Sequence, residues 1–161
     1  MKLVRLTLIT LAVYLSQTTF IKYFAVGGII PNMPAVMAMC CALTESDYTK
    51  AVVYGALVGA ALDFSAETIF GLHTLLCIFA SAACMLASEK FFKGKIPVSV
   101  LIVFAISFIY EILYCAMSFA LYQNIDKTNA ALGIALPGAI YNAALSVPAL
   151  FMMRHMKNTE E

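Results

Sequence analysis

The chain has 161 residues, 63% of them hydrophobic and only 12% charged, with a net charge of +1 and a mean hydropathy of +0.91. A soluble domain carries about a quarter charged residues, so the composition is that of a membrane protein, and without a basic stripe or a base-reading motif it excludes nucleic acid as a partner. The five cysteines, Cys40, Cys41, Cys77, Cys84 and Cys115, lie in apolar runs with no CxxC pair, and only His73 and His155 accompany them. They read as small buried hydrophobes, so neither a disulfide framework nor a metal or other cofactor is expected.

Leu3 to Ile21 is long enough to cross about 30 Å of hydrocarbon at 1.5 Å per residue. Lys2 and Arg5 ahead of it would suit a signal peptide. The run nevertheless passes through Tyr14, Gln17 and Thr18 without a small-x-small cleavage site, and reads as a retained first helix. Lys22 to Gly28 is a short connection. The second apolar segment, Ile29 to Leu43, is interrupted by Pro31, Asn32 and Pro34. A proline removes a backbone donor and crowds the turn before it, so this segment is expected to be short, broken or re-entrant. Thr44 to Lys50 is a polar loop holding cap residues for the third helix, Ala51 to Leu62, which ends near Asp63. Polar Ser65, Glu67 and Thr68 then lead to Gly71, and the fourth helix runs from about Leu72 to Ser88. After a lysine-rich loop comes the longest apolar run, Ile96 to Tyr122, with one acid, Glu111, near its middle. The sixth segment, Leu132 to Met153, carries Pro137, Asn142 and Pro148 and gives way to a charged tail.

Positive charge orients these segments. With six spans and a cytoplasmic amino end, Lys2, Arg5, Lys50, Lys90, Lys93, Lys95, Arg154 and Lys157 fall on the cytoplasmic side and only Lys22 and Lys127 outside. The expectation is an all-α integral membrane protein: one polytopic domain over residues 1–161, a compact bundle of six transmembrane helices with the second short or broken, and both termini cytoplasmic.

Several polar or small residues stand out from the apolar background. Ala51, Gly55, Gly59 and Asp63 recur every fourth residue, so they share one nearly bare helix stripe, and Gly55 to Gly59 is a GxxxG step suited to close helix packing, internal or with a partner. Glu111 is the most expensive residue to place in lipid. It reads either as a proton, ion or substrate site or as a carboxyl hydrogen-bonded to Ser107, Tyr110, Tyr114 or Asn142. Asp63 and Glu67 are four apart but lack a nucleophile or metal set beside them; a helix-end position leaves them hydrated, not catalytic. Asn32 and Asn142 sit near prolines, where a side-chain amide can satisfy freed backbone groups. His73 reads as a helix-start or interface residue. Tyr14, Tyr23, Tyr48, Tyr54, Tyr122 and the Phe91–Phe92 pair fall near segment ends, as interface anchors do.

Three stretches also carry a family resemblance. The Pro31-Asn32 step, GALVGAALDFSAETIFGLHTL from Gly55 to Leu75, and YNAALSVPALFMMRHM from Tyr141 to Met156 resemble the rod shape-determining protein MreD family. The matching positions are Pro31, Asn32, Gly55, Gly59, Asp63, Gly71, Asn142, Pro148 and Arg154. Ser65 to Phe70 departs from the smaller, glycine-rich turn commoner in that family. The resemblance implies a non-enzymatic subunit of the bacterial cell-elongation (rod) machinery in the inner membrane. Such a subunit binds the bitopic protein MreC and, through it, the filament protein MreB, the glycosyltransferase RodA and a penicillin-binding transpeptidase, and so helps organise lateral peptidoglycan synthesis and cell shape. An alternative is a small-molecule-binding subunit resembling the substrate-capture component of a vitamin transporter, with Glu111 or Asn142 pointing into an outer pocket. A proton-coupled carrier would rest on Glu111 alone, and the residue patterns of an intramembrane enzyme are missing.

Overall fold

The computed structural model describes residues 3–19, 30–64, 70–90, 95–122 and 128–158, all of it helices and their short connections. Six helices follow one another: α1 (Leu3–Thr19), α2 (Met33–Thr44), α3 (Tyr48–Asp63), α4 (Leu72–Lys90), α5 (Ile96–Tyr122) and α6 (Thr128–Asn158). Within α4, α5 and α6 lie stretches long and apolar enough to cross a membrane, Leu72–Lys90, Ile96–Ser118 and Gly133–Met156. The other three helices are shorter, with 17 residues in α1, 12 in α2 and 16 in α3. At 1.5 Å per residue, α2 extends only about 18 Å.

The short helix is the centre. It touches α1, α3, α4, α5 and α6, and every residue from Pro34 to Ala42 is buried. Helix α3 lies against α4 and α5 against α6 as two hairpins, α4 joins them through α5, and α1 packs on α2 and α3 alone. Pro31 precedes α2 and Pro34 falls in its first turn, where a missing N–H breaks no helical bond. The prolines therefore shorten the segment without breaking it. In α6 the helix runs straight through Pro137 and Pro148, both on its exposed face.

At the opposite end from the α2 start, Asp47 caps α3 by accepting from the N–H groups of Thr49 and Lys50 at 3.0 and 3.3 Å. The Lys50 side chain beside it holds the Asp47 carboxyl below its ordinary value, with those N–H groups adding to the effect. Lys50, Lys90, Lys95 and Arg154 all lie at helix ends on this side of the bundle.

The glycine stripe of α3 faces α4. A Cβ on Gly59 would overlap the Thr74 Cα and stand 2.7 Å from the His73 carbonyl oxygen and 2.8 Å from the Thr74 nitrogen, all backbone that cannot swing away. At Gly55 it would meet the Ser81 hydroxyl and come within 3.0 Å of the Cys77 carbonyl oxygen. The stripe is thus consumed by an internal contact. Four cysteines, Cys40, Cys41, Cys77 and Cys84, are free thiols in the core, and Cys115 is half-buried. Tyr54, read from sequence as an interface anchor, is instead a core residue 1% exposed, its hydroxyl bonded to that of Thr10 on α1; Tyr23, Phe91 and Phe92 lie outside the described residues.

Because Gly59 abuts backbone, Gly59→Leu is expected to prevent stable folding of the α3–α4 hairpin. Gly59→Ala should cost about 1–3 kcal/mol as overpacking. A lowered thermal midpoint of the purified protein in detergent checks both, and an unchanged midpoint for Gly59→Leu would refute the contact.

Candidate functional site

A helix that begins inside a bundle must find partners for its first N–H groups, because no water is at hand to take them. At the start of α2 three side chains meet this need. The Asn32 Oδ1 accepts from the Ala35 N–H at 3.2 Å, as an N-cap does. Gln17 of α1 accepts from the Met33 N–H through its Oε1 at 2.9 Å, and Asn142 of α6 accepts from the Asn32 N–H through its Oδ1 at 3.0 Å. Pro34 has no N–H to satisfy, and the Val36 N–H reaches the Asn32 carbonyl oxygen at 3.0 Å. The two asparagines were expected to serve groups that the prolines free; instead each accepts from an N–H at the start of α2, Asn142 reaching there from another helix.

The start of α4 is capped from a distance in the same manner. Asp63 is 3% exposed, not hydrated at a helix end as its sequence position suggested. Its Oδ1 accepts from the His73 N–H at 2.9 Å, and its Oδ2 accepts from the Thr74 N–H at 3.0 Å and the Thr74 hydroxyl at 2.5 Å. A carboxylate on the first N–H groups of a helix also lies at the favourable end of its dipole. Gly59, one turn earlier on the same stripe, brings the two backbones close enough for this reach. Gly71, at φ +93°, turns the chain into α4 in a conformation that side-chain-bearing residues rarely adopt, and its carbonyl accepts the Leu75 N–H at 2.9 Å. Gly55, Gly59, Asp63 and Gly71 are therefore one device, which the spacing alone did not disclose. Glu67, the acid paired with Asp63 in the sequence, lies outside the described residues.

His73 then links α4 to α5. Its Nδ1 is 2.7 Å from the Tyr110 hydroxyl, and its ring stacks on Tyr114 with centroids 4.8 Å apart. This pair was not anticipated from sequence, where His73 and Tyr110 stand 37 positions apart. Arg154 donates from Nη2 to the Ser99 hydroxyl at 3.5 Å and so fixes the register of α5 against α6. Glu111 follows Ser99 by the same number of residues as Asn142 precedes Arg154, so the two stand at equal depth in the antiparallel pair.

All six helices thus contribute to one polar layer: Gln17, Asn32, Asp63, His73, Tyr110 with Glu111, and Asn142. Most of it is self-satisfied. Of the groups expected to serve Glu111, Tyr110 bonds His73, the Asn142 Oδ1 accepts from the Asn32 N–H, Ser107 donates to the Met39 sulfur at 3.5 Å, and the Tyr114 ring stacks on His73. Among the described residues no group of three or more His, Cys, Asp or Glu stands together as a metal set. Two grooves indent the outer surface, one of about 220 Å³ between α1 and α3 beside Thr10 and Tyr54, the other of about 370 Å³ between α4 and α5 over Ala80 and Ala83. Both are almost wholly apolar. Comparison of the chain with protein-family models, with curated proteins and with solved structures gives no match.

Removing a cap partner leaves a buried N–H unpaired. Asn142→Ala should destabilise the bundle by about 1–3 kcal/mol. Asp63→Ala should cost about 1–2 kcal/mol and Asp63→Asn less, since the amide retains one acceptor oxygen. Thermal or denaturant midpoints of the purified variants measure these losses; wild-type stability in Asn142→Ala would contradict the capping scheme.

Proposed function

We propose that the chain is a non-enzymatic scaffold subunit of the bacterial cell-elongation complex, resembling the MreD family, that binds MreC directly and works with MreB, RodA and a penicillin-binding transpeptidase in lateral peptidoglycan synthesis. In this reading the chain crosses the inner membrane six times. Both termini are cytoplasmic, with Lys50, Lys90, Lys95 and Arg154 at the cytoplasmic end. The observation that carries the reading is the use to which the interior polar groups are put. Gln17, Asn32, Asp63 and Asn142 each terminate a helix, Gly55 and Gly59 each admit one, and these side chains are spent on holding the bundle together. What the molecule offers to others is its apolar outer surface and short connections, which suit a protein that acts by contact with other membrane proteins. The motif positions shared with the family, Asn32, Gly59, Asp63, Gly71 and Asn142, are also the ones that set the helix starts and the closest approach.

One observation favours the second reading, a small-molecule-binding subunit. The His73, Tyr110 and Tyr114 rings lie together in the half of the bundle away from the cationic end, where an outer pocket would be.

Depletion of the protein is expected to turn rod-shaped cells round, and tagged protein should co-purify with MreC from detergent-solubilised membranes. Rods of normal shape without MreC capture, together with a thermal shift on adding a vitamin, would overturn the scaffold in favour of the second reading.

A further inference from the structure

We propose that the protein presents two hydrophobic thicknesses to the membrane: its α1–α3 flank takes up a bilayer thinned to about 21 Å of hydrocarbon, while its α5–α6 flank keeps the full thickness. The proposal rests on the six-span reading above and identifies the lipid surface that such an arrangement fits.

Around α2 the other helices follow one another as an open arc, α1 on α3, α3 on α4, α4 on α5 and α5 on α6. Hydrogen bonds fix how deep each one reaches. The His73–Tyr110 bond sets the start of α4 at the level of Tyr110 in α5, and the bonds of Asn142 to Asn32 and of Gln17 to Met33 bring α6, α2 and α1 to that level. Beyond it α5 continues as helix from Tyr110 to Tyr122, about 18 Å, and α6 from Asn142 back to Thr128, about 21 Å. On the opposite flank α3 stops at Asp63, and Phe64, Phe70 and Gly71 are turn residues.

That turn marks the edge of the hydrocarbon. Irregular backbone exposed to lipid has no partners for its N–H and C=O groups, so it does not occur within the bilayer core. Phe64 and Phe70 pack edge to face with centroids 5.6 Å apart and are 80% and 71% exposed, so no neighbouring helix of the bundle covers them. The connecting sequence also carries Glu67, and a charge in hydrocarbon costs several kcal/mol. From Lys50 at the cationic end to Phe64, α3 rises about 21 Å. Helix α4, of 19 residues, extends about 27 Å, and the apolar stretches Ile96–Ser118 and Gly133–Met156 extend about 33 and 35 Å. A bilayer core is about 30 Å thick, so the α5–α6 flank spans it with some tilt and the α3 flank falls short. Val53 and Leu57 on α3 and Leu8, Leu11 and Leu15 on α1 are exposed, which makes the short flank as apolar as the long one. A short apolar surface that has to stay in lipid draws the bilayer thinner around it.

The chain contains no Trp, so a single introduced Trp reports its own surroundings. The test places Leu57→Trp on α3 or Ile140→Trp on α6, both outward side chains, in the full-length protein reconstituted into phosphatidylcholine vesicles. Quenching by dibrominated phosphatidylcholines with chains of about 14 or about 22 carbons gives the ratio of short-chain to long-chain binding at each position. The expected ratio is higher at position 57 than at position 140 by about threefold or more. Val53→Trp and Leu136→Trp, also exposed, replace either variant that fails to elute as a monodisperse species. In parallel, Phe70→Cys in membrane vesicles of known sidedness is expected to react with a membrane-impermeant maleimide from the side opposite the amino terminus, above the background of the native cysteines. Equal ratios at the two positions, or a higher one at position 140, with Phe70→Cys reacting as expected, overturn the uneven thickness and leave the six-span reading intact. Failure of Phe70→Cys to react from that side overturns the six-span reading, and the proposal with it.

Discussion

Everything in this bundle depends on satisfying the start of α2, the helix that all five others touch. A helix of 12 residues, buried all round from Pro34 to Ala42, has to find partners inside the protein for its first N–H groups. An unpaired amide in such surroundings costs several kcal/mol. The cost is avoided because two other helices lend side chains, Gln17 from α1 and Asn142 from α6, and because Pro34 occupies a first-turn position with no donor to satisfy. Those bonds do more than satisfy α2. Apolar helices in an apolar solvent have little to prevent them from sliding along one another. The Gln17–Met33 and Thr10–Tyr54 bonds therefore give α1, which packs on α2 and α3 alone, a defined register.

The α3–α4 hairpin solves the same problem with different residues. There the helix start is served by a carboxylate from the preceding helix, ten and eleven positions upstream of the N–H groups it accepts. Such a reach demands near contact of the two backbones. Only glycine at position 59 permits it, since any Cβ would occupy the space of the His73 and Thr74 main chain. Bare stripe and cap are consequently coupled. Without Gly59 the Asp63 carboxylate would stand too far away, and without Asp63 the close approach would bury unpaired donors.

This coupling also explains what the sequence made legible. Hydrophobic runs and their polar interruptions gave α5 to the residue, and the α4 start and the shortness of α2 followed from Gly71 and the prolines, whereas α3, expected from Ala51, begins at Tyr48 behind the Asp47 cap. Six spans were expected with the second short or broken; among the described residues, α4, α5 and α6 contain stretches long and apolar enough to cross a membrane. Asp63 was misjudged for a physical reason: an acid at the end of an apolar helix looks the same whether it meets water or a neighbour's N–H groups, and only the fold brings residues 73 and 74 to it. Tyr54 was placed at an interface because it lies near a polar loop, yet its helix stripe faces α1 and α2. Likewise the spacing 4-3-4 shows that Phe104, Phe108, Glu111 and Cys115 share a face, but not that Tyr110 and Asn142 turn to other partners.

A buried polar group in lipid is tolerable only when it is satisfied; in this layer Gln17, Asn32, Asp63 and Asn142 accept from backbone N–H groups, and His73 pairs with Tyr110. That pattern separates structural polarity from polarity left for others. The Asn32 Oδ1, the Asp63 carboxylate and the Asn142 Oδ1 are each directed at a helix start, so their presence in a motif follows from the fold whatever the fold is used for. Glu111 lies at the depth of Asn142 on a half-buried stripe of α5.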